Sequence, residues 1–241
     1  MSEVLIEMEN LGVAYRTRQL SFRSGDPVWA IRDVSLSLRR SETLGVIGHN
    51  AAGKSTLLRA IAGIVAPDRG HIERATSSIS LLSLQVGFIP HLNGYENALL
   101  SSMLLGLTRK QSQANLAAIE EFSELGEFMS MPLASYSSGM KARLGFAVAQ
   151  LAKPEVLLID EVLGVGDHSF IKKSSSALRE VIQSDRTVVL VSHNMHTIQT
   201  LADRVVWLDE GKSIAEGLPA DLIPDYLENL EHRTQVRSKT D

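Results

Sequence analysis

Gly48-His49-Asn50-Ala51-Ala52-Gly53-Lys54-Ser55-Thr56 is a complete G-x-x-x-x-G-K-[ST] loop. It follows the apolar run Leu44-Gly45-Val46-Ile47 and leads into Leu57-Leu58-Arg59-Ala60-Ile61-Ala62, so the spacing places it between a strand and a helix. Glycines let a backbone wrap a phosphate chain closely, and successive N–H groups at the positive end of the helix point at the anion. In such a loop Lys54 reaches the outer phosphates of a nucleotide and the Ser55 hydroxyl ligates Mg²⁺. The competing reading is a glycine-containing turn that matches by chance, and the flanking strand and helix weigh against it.

The 241 residues suffice for one large α/β domain, or a main domain with a subdomain. Apolar residues make up 44% and charged residues 22%, with a formal net charge of −4 and no long block of one sign. That balance gives no footprint for nucleic acid. Cysteine is absent, so neither a disulfide framework nor a thiolate metal site is available, and a reducing cytosol is the expected home. The amino terminus lacks the basic flank and apolar core of a secretion signal. Apolar stretches break well short of the ~20 residues a membrane-spanning helix needs, so membrane association is expected through a partner.

Alternation in Val4-Leu5-Ile6-Glu7-Met8 and Val34-Ser35-Leu36-Ser37-Leu38 predicts half-buried strands of an antiparallel sheet. From about Gly94 to Leu151 the pattern turns helical, with Thr108-Arg109-Lys110-Gln111 as a capping box ahead of an amphipathic segment to Leu125. This stretch is read as an inserted helical subdomain. Val156-Leu157-Leu158-Ile159 and Thr187-Val188-Val189-Leu190-Val191 are continuous apolar runs, as expected of central parallel strands covered on both faces. Val205 to Leu208 and Ser213 to Glu216 flank Glu210-Gly211-Lys212 as a hairpin, and a short helix is expected from about Pro219 to Leu230. The expected architecture is thus an α/β P-loop core with a mostly parallel sheet, an antiparallel β subdomain and the helical insertion. Residues 1–230 form the nucleotide-binding domain in this reading, and Glu231 to Asp241 are a polar, frayed tail.

Further chemistry gathers at element ends. The strand Val156 to Ile159 runs into Asp160-Glu161, and carboxylates at a strand's carboxyl end face the ligand site of an α/β sheet. Asp160 can hold Mg²⁺ through water, and Glu161 can orient or deprotonate the water that attacks a γ-phosphate. The same two acids, taken alone, are an ordinary solvated loop start. Ser137-Ser138-Gly139-Met140-Lys141 opens a helix that continues through Ala149, which puts Ser138 and Gly139 at a helix amino terminus with N–H donors for an anion. The chain's own phosphate loop already supplies such donors, so this second terminus makes most sense against nucleotide held by another subunit. Read by itself, Ser-Ser-Gly is only a cap. Ser192-His193 ends the next buried run, where His193 is either a γ-phosphate contact or a satisfied loop histidine.

Over nearly its whole length the chain resembles the ATP-binding-cassette (ABC) transporter ATPases. Gly48 to Thr56 matches their Walker A loop, Ser137 to Met140 the signature, Val156 to Glu161 the Walker B strand, Gly166-Asp167 the D-loop and His193 the switch histidine. Within that family, Gly87 to Asn97, Phe122 to Phe128, Tyr136 to Met140 and Asp160 to Asp167 look like the ATPase subunits of bacterial polysaccharide exporters, which serve O-antigen, capsule or teichoic-acid chains. The signature departs from many relatives by carrying Ser138 and Met140 in place of Gly and Gln. Gln85 falls near the place of the family's Q-loop glutamine, a nucleotide and metal contact, about one residue out of register with Pro90 to Glu96. Tyr15 resembles the aromatic that stacks on adenine, with a core tyrosine as the other reading.

The resemblance implies a homodimer that closes on two ATP molecules with Mg²⁺ and drives an integral membrane permease. It also implies export of a lipid-linked polysaccharide and a peripheral place on the cytoplasmic face of the cytoplasmic (inner) membrane. A soluble cassette ATPase in cofactor assembly or regulation is the alternative. A P-loop kinase or GTP switch leaves Ser137 to Met140 and His193 without roles. The short segment after Leu230 leads to the expectation that the permease recognises the polymer, while Gln85 to Tyr95 and the helix beginning near Thr108 receive its cytoplasmic helix.

Overall fold

The computed structural model describes residues 3–15, 27–82, 87–152, 154–160, 168–182 and 186–237. Gln85, Glu161 and the Gly166-Asp167 pair lie outside the described residues. The chain forms two compact units, residues 1–77 with 187–241, and residues 78–186.

In the first unit, β1 (Val4–Tyr15) pairs antiparallel with β2 (Val28–Arg39). Both strands run further than the alternating pentapeptides announced. The reason is a bulge: Asn10 takes a left-handed φ of 49°, the register shifts between Met8 and Leu11, and the buried set resumes out of phase at Leu11 and Val13. The fully buried β3 (Thr43–Ile47) leads through the phosphate loop into α1 (Lys54–Ile61), whose buried face carries Leu57, Leu58, Ala60 and Ile61. β4 (Arg69–Arg74) then returns antiparallel to β1.

Two strands that follow belong to the second unit, β5 (Ile79–Leu82) and β6 (Val156–Asp160), which pair in parallel. Between them stand α2 (Gly94–Leu104), α3 (Arg109–Ser123) and α4 (Ser138–Ala152). Asn93 and Glu96 form a capping box on α2, and Thr108 and Gln111 form the anticipated one on α3. These helices close on Ala98, Ile119, Met129, Leu133, Leu144 and Val148. α5 (His168–Ile182) adds Phe170, which meets Phe122 and Phe146 edge-on at 6.1 and 6.2 Å between ring centroids. Glu124, at a left-handed φ of 55° beyond α3, receives Lys173 of α5 at 2.6 Å and Arg143 of α4 at 3.4 Å.

The chain re-enters the first unit at β7 (Thr187–Val191), followed by α6 (Met195–Leu201), β8 (Arg204–Asp209), β9 (Lys212–Gly217) and α7 (Pro219–Arg237). The strand order in this unit is β4-β1-β2-β9-β8-β3-β7. β3 is parallel to both β7 and β8, and the β8–β9 hairpin turns at Glu210 and Gly211, both at positive φ. A buried ion cluster ties this sheet together: Arg204 donates to Glu42 at 2.6 and 3.0 Å, to the Ser37 carbonyl at 2.5 Å, and to Glu216. The acids, Glu42 above all, hold the guanidinium in its charged form against the cost of burial.

One boundary differs from expectation. α7 does not stop near Leu230 but continues to Arg237, so Glu231 opens no frayed tail. Leu222, Ile223 and Tyr226 bury the first turns, and an established helix extends at the cost of one residue's backbone freedom per hydrogen bond gained.

Candidate functional site

The phosphate loop spans the gap between β3 and α1 and is shaped by two glycines. Gly53 caps α1 at φ 104°, and a Cβ there would stand 2.5 Å from the Ala30 carbonyl oxygen. Gly48, at φ 156°, lies so close to β8 that a Cβ would stand 2.4 Å from the Leu208 carbonyl oxygen. No side chain caps α1 at Gly53, and as the first helical residues Lys54, Ser55 and Thr56 have amides without intrahelical acceptors. This is an anion-receiving helix terminus. The Lys54 ammonium, on a buried side chain, donates to the carbonyls of Gly48 at 2.7 Å and His49 at 3.0 Å, across the mouth of the same loop. Ala52 donates its amide to the His49 carbonyl at 3.2 Å and accepts from the Gly211 amide at 3.2 Å, so the β8–β9 turn backs the loop. Ser55 is exposed, and Asn50 and Ala51 are exposed at the tip, Ala51 at φ 66°. Thr56 turns inward and is buried.

His193 follows the buried β7 one residue on, after Ser192, and is exposed. The turn that carries it is fixed by Asn194, whose amide donates to Ser192 Oγ at 3.1 Å and whose side chain caps α6 by accepting from Thr197 at 3.2 Å. Tyr15 ends β1 opposite Val28 and is 41% exposed.

In the second unit, Asp160 is the half-buried last residue of β6, behind four fully buried apolar residues. Ser137 caps α4, its hydroxyl accepting from the Met140 amide at 3.2 Å, so Ser138 and Gly139 are the first residues of the helix and their amides lack intrahelical partners. A cleft of about 320 Å³ opens beside this terminus, lined by Ser137, Gly139, Met140 and Arg143 together with Glu124, Leu125 and Phe128. Tyr136, just ahead, donates to the Phe128 carbonyl at 2.6 Å, and burial raises its phenol above the usual tyrosine value. Seated in this way, Tyr136 steadies the approach to the helix terminus.

Two residues to which the sequence pattern assigned no role of their own hold the neighbouring segments in place. Asn97, fully buried on α2, accepts from the Ile89 amide at 2.7 Å and donates to the carbonyls of Ile89, Leu92 and Asn93 at 3.1, 3.0 and 2.9 Å. Asp209, at the end of β8, lies 2.8 Å from His49 Nε2. Neither belongs to a spacing pattern, because in each case the partner is a backbone group or a residue far off in the chain.

No group of three or more His, Asp or Glu suited to a metal exists among the described residues. A lone hydroxyl or a single carboxylate, such as Ser55 in one unit or Asp160 in the other, is instead the kind of sparse protein contribution that Mg²⁺ accepts when phosphates and water complete its shell. Both residues fit that chemistry.

Loop, helix terminus and sheet together define a phosphate-binding α/β protein of the P-loop kind. The chain belongs to the ABC transporter family, whose model matches residues 31–164. It is 43% identical over 209 residues to the O-antigen export system ATP-binding protein RfbB of Klebsiella pneumoniae, covering 87% of this chain and 85% of that one. It is 41% identical over 219 residues to the teichoic acids export ATP-binding protein TagH of Lactococcus lactis, covering 88% of this chain and 47% of the relative. With 48% of the Myxococcus xanthus RfbB covered as well, the chain spans about half the length of these two relatives. Among solved structures, an ATP-binding subunit of an ABC transporter superposes with a TM-score of 0.75 at 25% identity, over 92% of this chain and 93% of that one. A dimeric ATP-binding cassette bound to ADP and Pi shares the fold, with a TM-score of 0.73 at 20% identity over 89% of this chain and 99% of that one.

Proposed function

We propose that the chain is the ATPase cassette of an exporter for a lipid-linked polysaccharide of the O-antigen, capsule or teichoic-acid type. Two copies close on two ATP molecules and drive an integral membrane permease from the cytoplasmic face of the cytoplasmic membrane. The observation that carries this reading is the pairing of a complete phosphate loop, Lys54 across its mouth, with relatives near 40% identity that are export-system ATP-binding proteins. Among the described residues no helix is long and apolar enough to cross a membrane, which suits a cassette that acts through a permease.

In this reading the first-turn amides of α1 and the Lys54 ammonium bind the phosphate chain of ATP, and Tyr15 stacks on the base. Ser55 and Asp160, with Gln85, hold Mg²⁺, which neutralises charge on the phosphate oxygens. Glu161 takes the proton of the attacking water, and His193 holds the γ-phosphate as charge moves onto it. Ser138 and Gly139 present their amides to nucleotide bound by the second copy. The permease helix docks near Leu92 and the start of α3.

The test is a membrane pull-down with a photo-crosslinker at Leu92, coupled to a Mg²⁺-dependent ATPase assay. Capture of a permease that copurifies only in detergent, with ATP turnover, is the expected result. Turnover with exclusively soluble partners would return the chain to cofactor assembly or regulation.

A further inference from the structure

The end of β8 supports the phosphate loop at three places. The Leu208 carbonyl lies under Gly48, the Gly211 amide donates to Ala52, and Asp209 Oδ1 lies 2.8 Å from His49 Nε2. The last contact is a close polar approach rather than a hydrogen bond, while Nδ1 donates to the Asn50 carbonyl at 2.5 Å. Asp209 is in turn gripped from α7: Arg233 Nη1 donates to Oδ1 at 2.9 Å and Nη2 donates to Oδ2. A bidentate guanidinium–carboxylate pair fixes the orientation of the acid as well as its charge. α7 itself is seated on β8, where Tyr226 meets Trp207 edge-on at 5.6 Å between ring centroids.

We propose that Arg233 is a positioning residue for the phosphate loop: by aiming Asp209 at His49 it holds the Gly48–Ala52 turn in its phosphate-receiving form, so that the state of α7 sets nucleotide affinity. This rests on the ATPase reading for its kinetic arm only. Arg233 is 42% exposed and touches no reacting group, so its effect falls on binding rather than on the chemical step. It also gives α7 a line to the nucleotide, because anything that draws Arg233 away from Asp209 loosens the loop.

The experiment compares the full chain with Arg233→Ala, Arg233→Lys, His49→Gln and the double variant Arg233→Ala/His49→Gln. Hydrogen exchange of the amides at residues 48–53 is read without nucleotide, and KM and kcat for ATP are read with Mg²⁺. Arg233→Ala is expected to speed exchange in the loop and raise KM by about fivefold, with kcat within about twofold, the scale of one well-formed charge pair. Arg233→Lys should recover part of the KM loss, since it restores charge without the fork. In the His49→Gln background Arg233→Ala should add little, because the route runs through His49. Unchanged loop exchange in Arg233→Ala overturns the proposal, as does a full additive effect in the double variant. Faster exchange in a chain that shows no ATP turnover even as wild type keeps the loop link and sinks the ATPase reading instead.

Discussion

Lys54 shows how much of the site rests on a single side chain. Its ammonium bridges the Gly48 and His49 carbonyls at 2.7 and 3.0 Å from a buried position, so the charge is already desolvated and fixed across the loop. A phosphate oxygen offered to that charge gains a strong, charge-assisted hydrogen bond with little ordering cost. Lys54→Ala removes the charge and its hydrogen bonds together, and ATP affinity by calorimetry should fall by on the order of 100-fold, the scale of two to three kcal/mol for such contacts. Near-normal affinity in a variant that melts like the wild type would remove the loop's assignment as the phosphate site. The identity of Lys54 was legible because G-x-x-x-x-G-K-[ST] is contiguous and its geometry local. The role of Asp209 was not, because nothing in the order of residues announces that a hairpin acid meets His49.

Among the elements, α2 governs the segment before it. Asn97 satisfies one amide and three carbonyls of residues 89–93, and so replaces a secondary-structure ladder for a stretch that has none. Asn97→Ala strands those groups in the interior and should cost about 2–4 kcal/mol, since each buried unsatisfied polar group costs on the order of 1–3 kcal/mol. Urea unfolding of the full chain checks this, and a loss below about 1 kcal/mol would mean that water or movement re-satisfies the segment. α7 makes a second prediction. Burial first, then the Asp209 charge, raises the Tyr226 phenol above its ordinary value near 10, against a smaller opposing effect of Arg233. The unfolded chain therefore releases this proton first as pH rises. The stabilising contribution is whole below about pH 10 and is lost as pH climbs through the raised folded value. Tyr226→Phe should flatten part of the alkaline loss of stability, read as urea midpoints across that range. Parallel curves for the two proteins would show that the phenol is solvated. Elements with unbroken apolar runs, such as β6 and β7, were legible from the sequence. β1 was cut short because the Asn10 bulge reverses the inside-outside alternation, and α7 because its later turns carry no apolar stripe and continue from the buried first turns.

Across the whole molecule, the groups assigned to nucleotide divide between two compact units: Lys54, Ser55 and His193 in one, Ser138, Gly139 and Asp160 in the other. The amino termini of α1 and α4 are both suited to anions, and each has a lysine in its first turn, Lys54 and Lys141. A helix terminus by itself attracts an exposed anion weakly, by about 0.3–1 kcal/mol, so in the proposed function α4 is the second half of a site whose first half binds the phosphates. If that first half belongs to the other copy, a mixed dimer has a decisive arrangement of lesions. Place Lys54→Ala in one chain and Ser138→Arg in its partner, and both fall in the same composite site, leaving the other intact. Place both in one chain opposite a wild-type partner, and each composite site carries one lesion. With hydrolysis slowed by Glu161→Gln in both chains, the split dimer should retain one ATP through rapid gel filtration and the unsplit dimer none. A signature acting on its own chain's nucleotide inverts the result: the split dimer would then retain none and the unsplit dimer one.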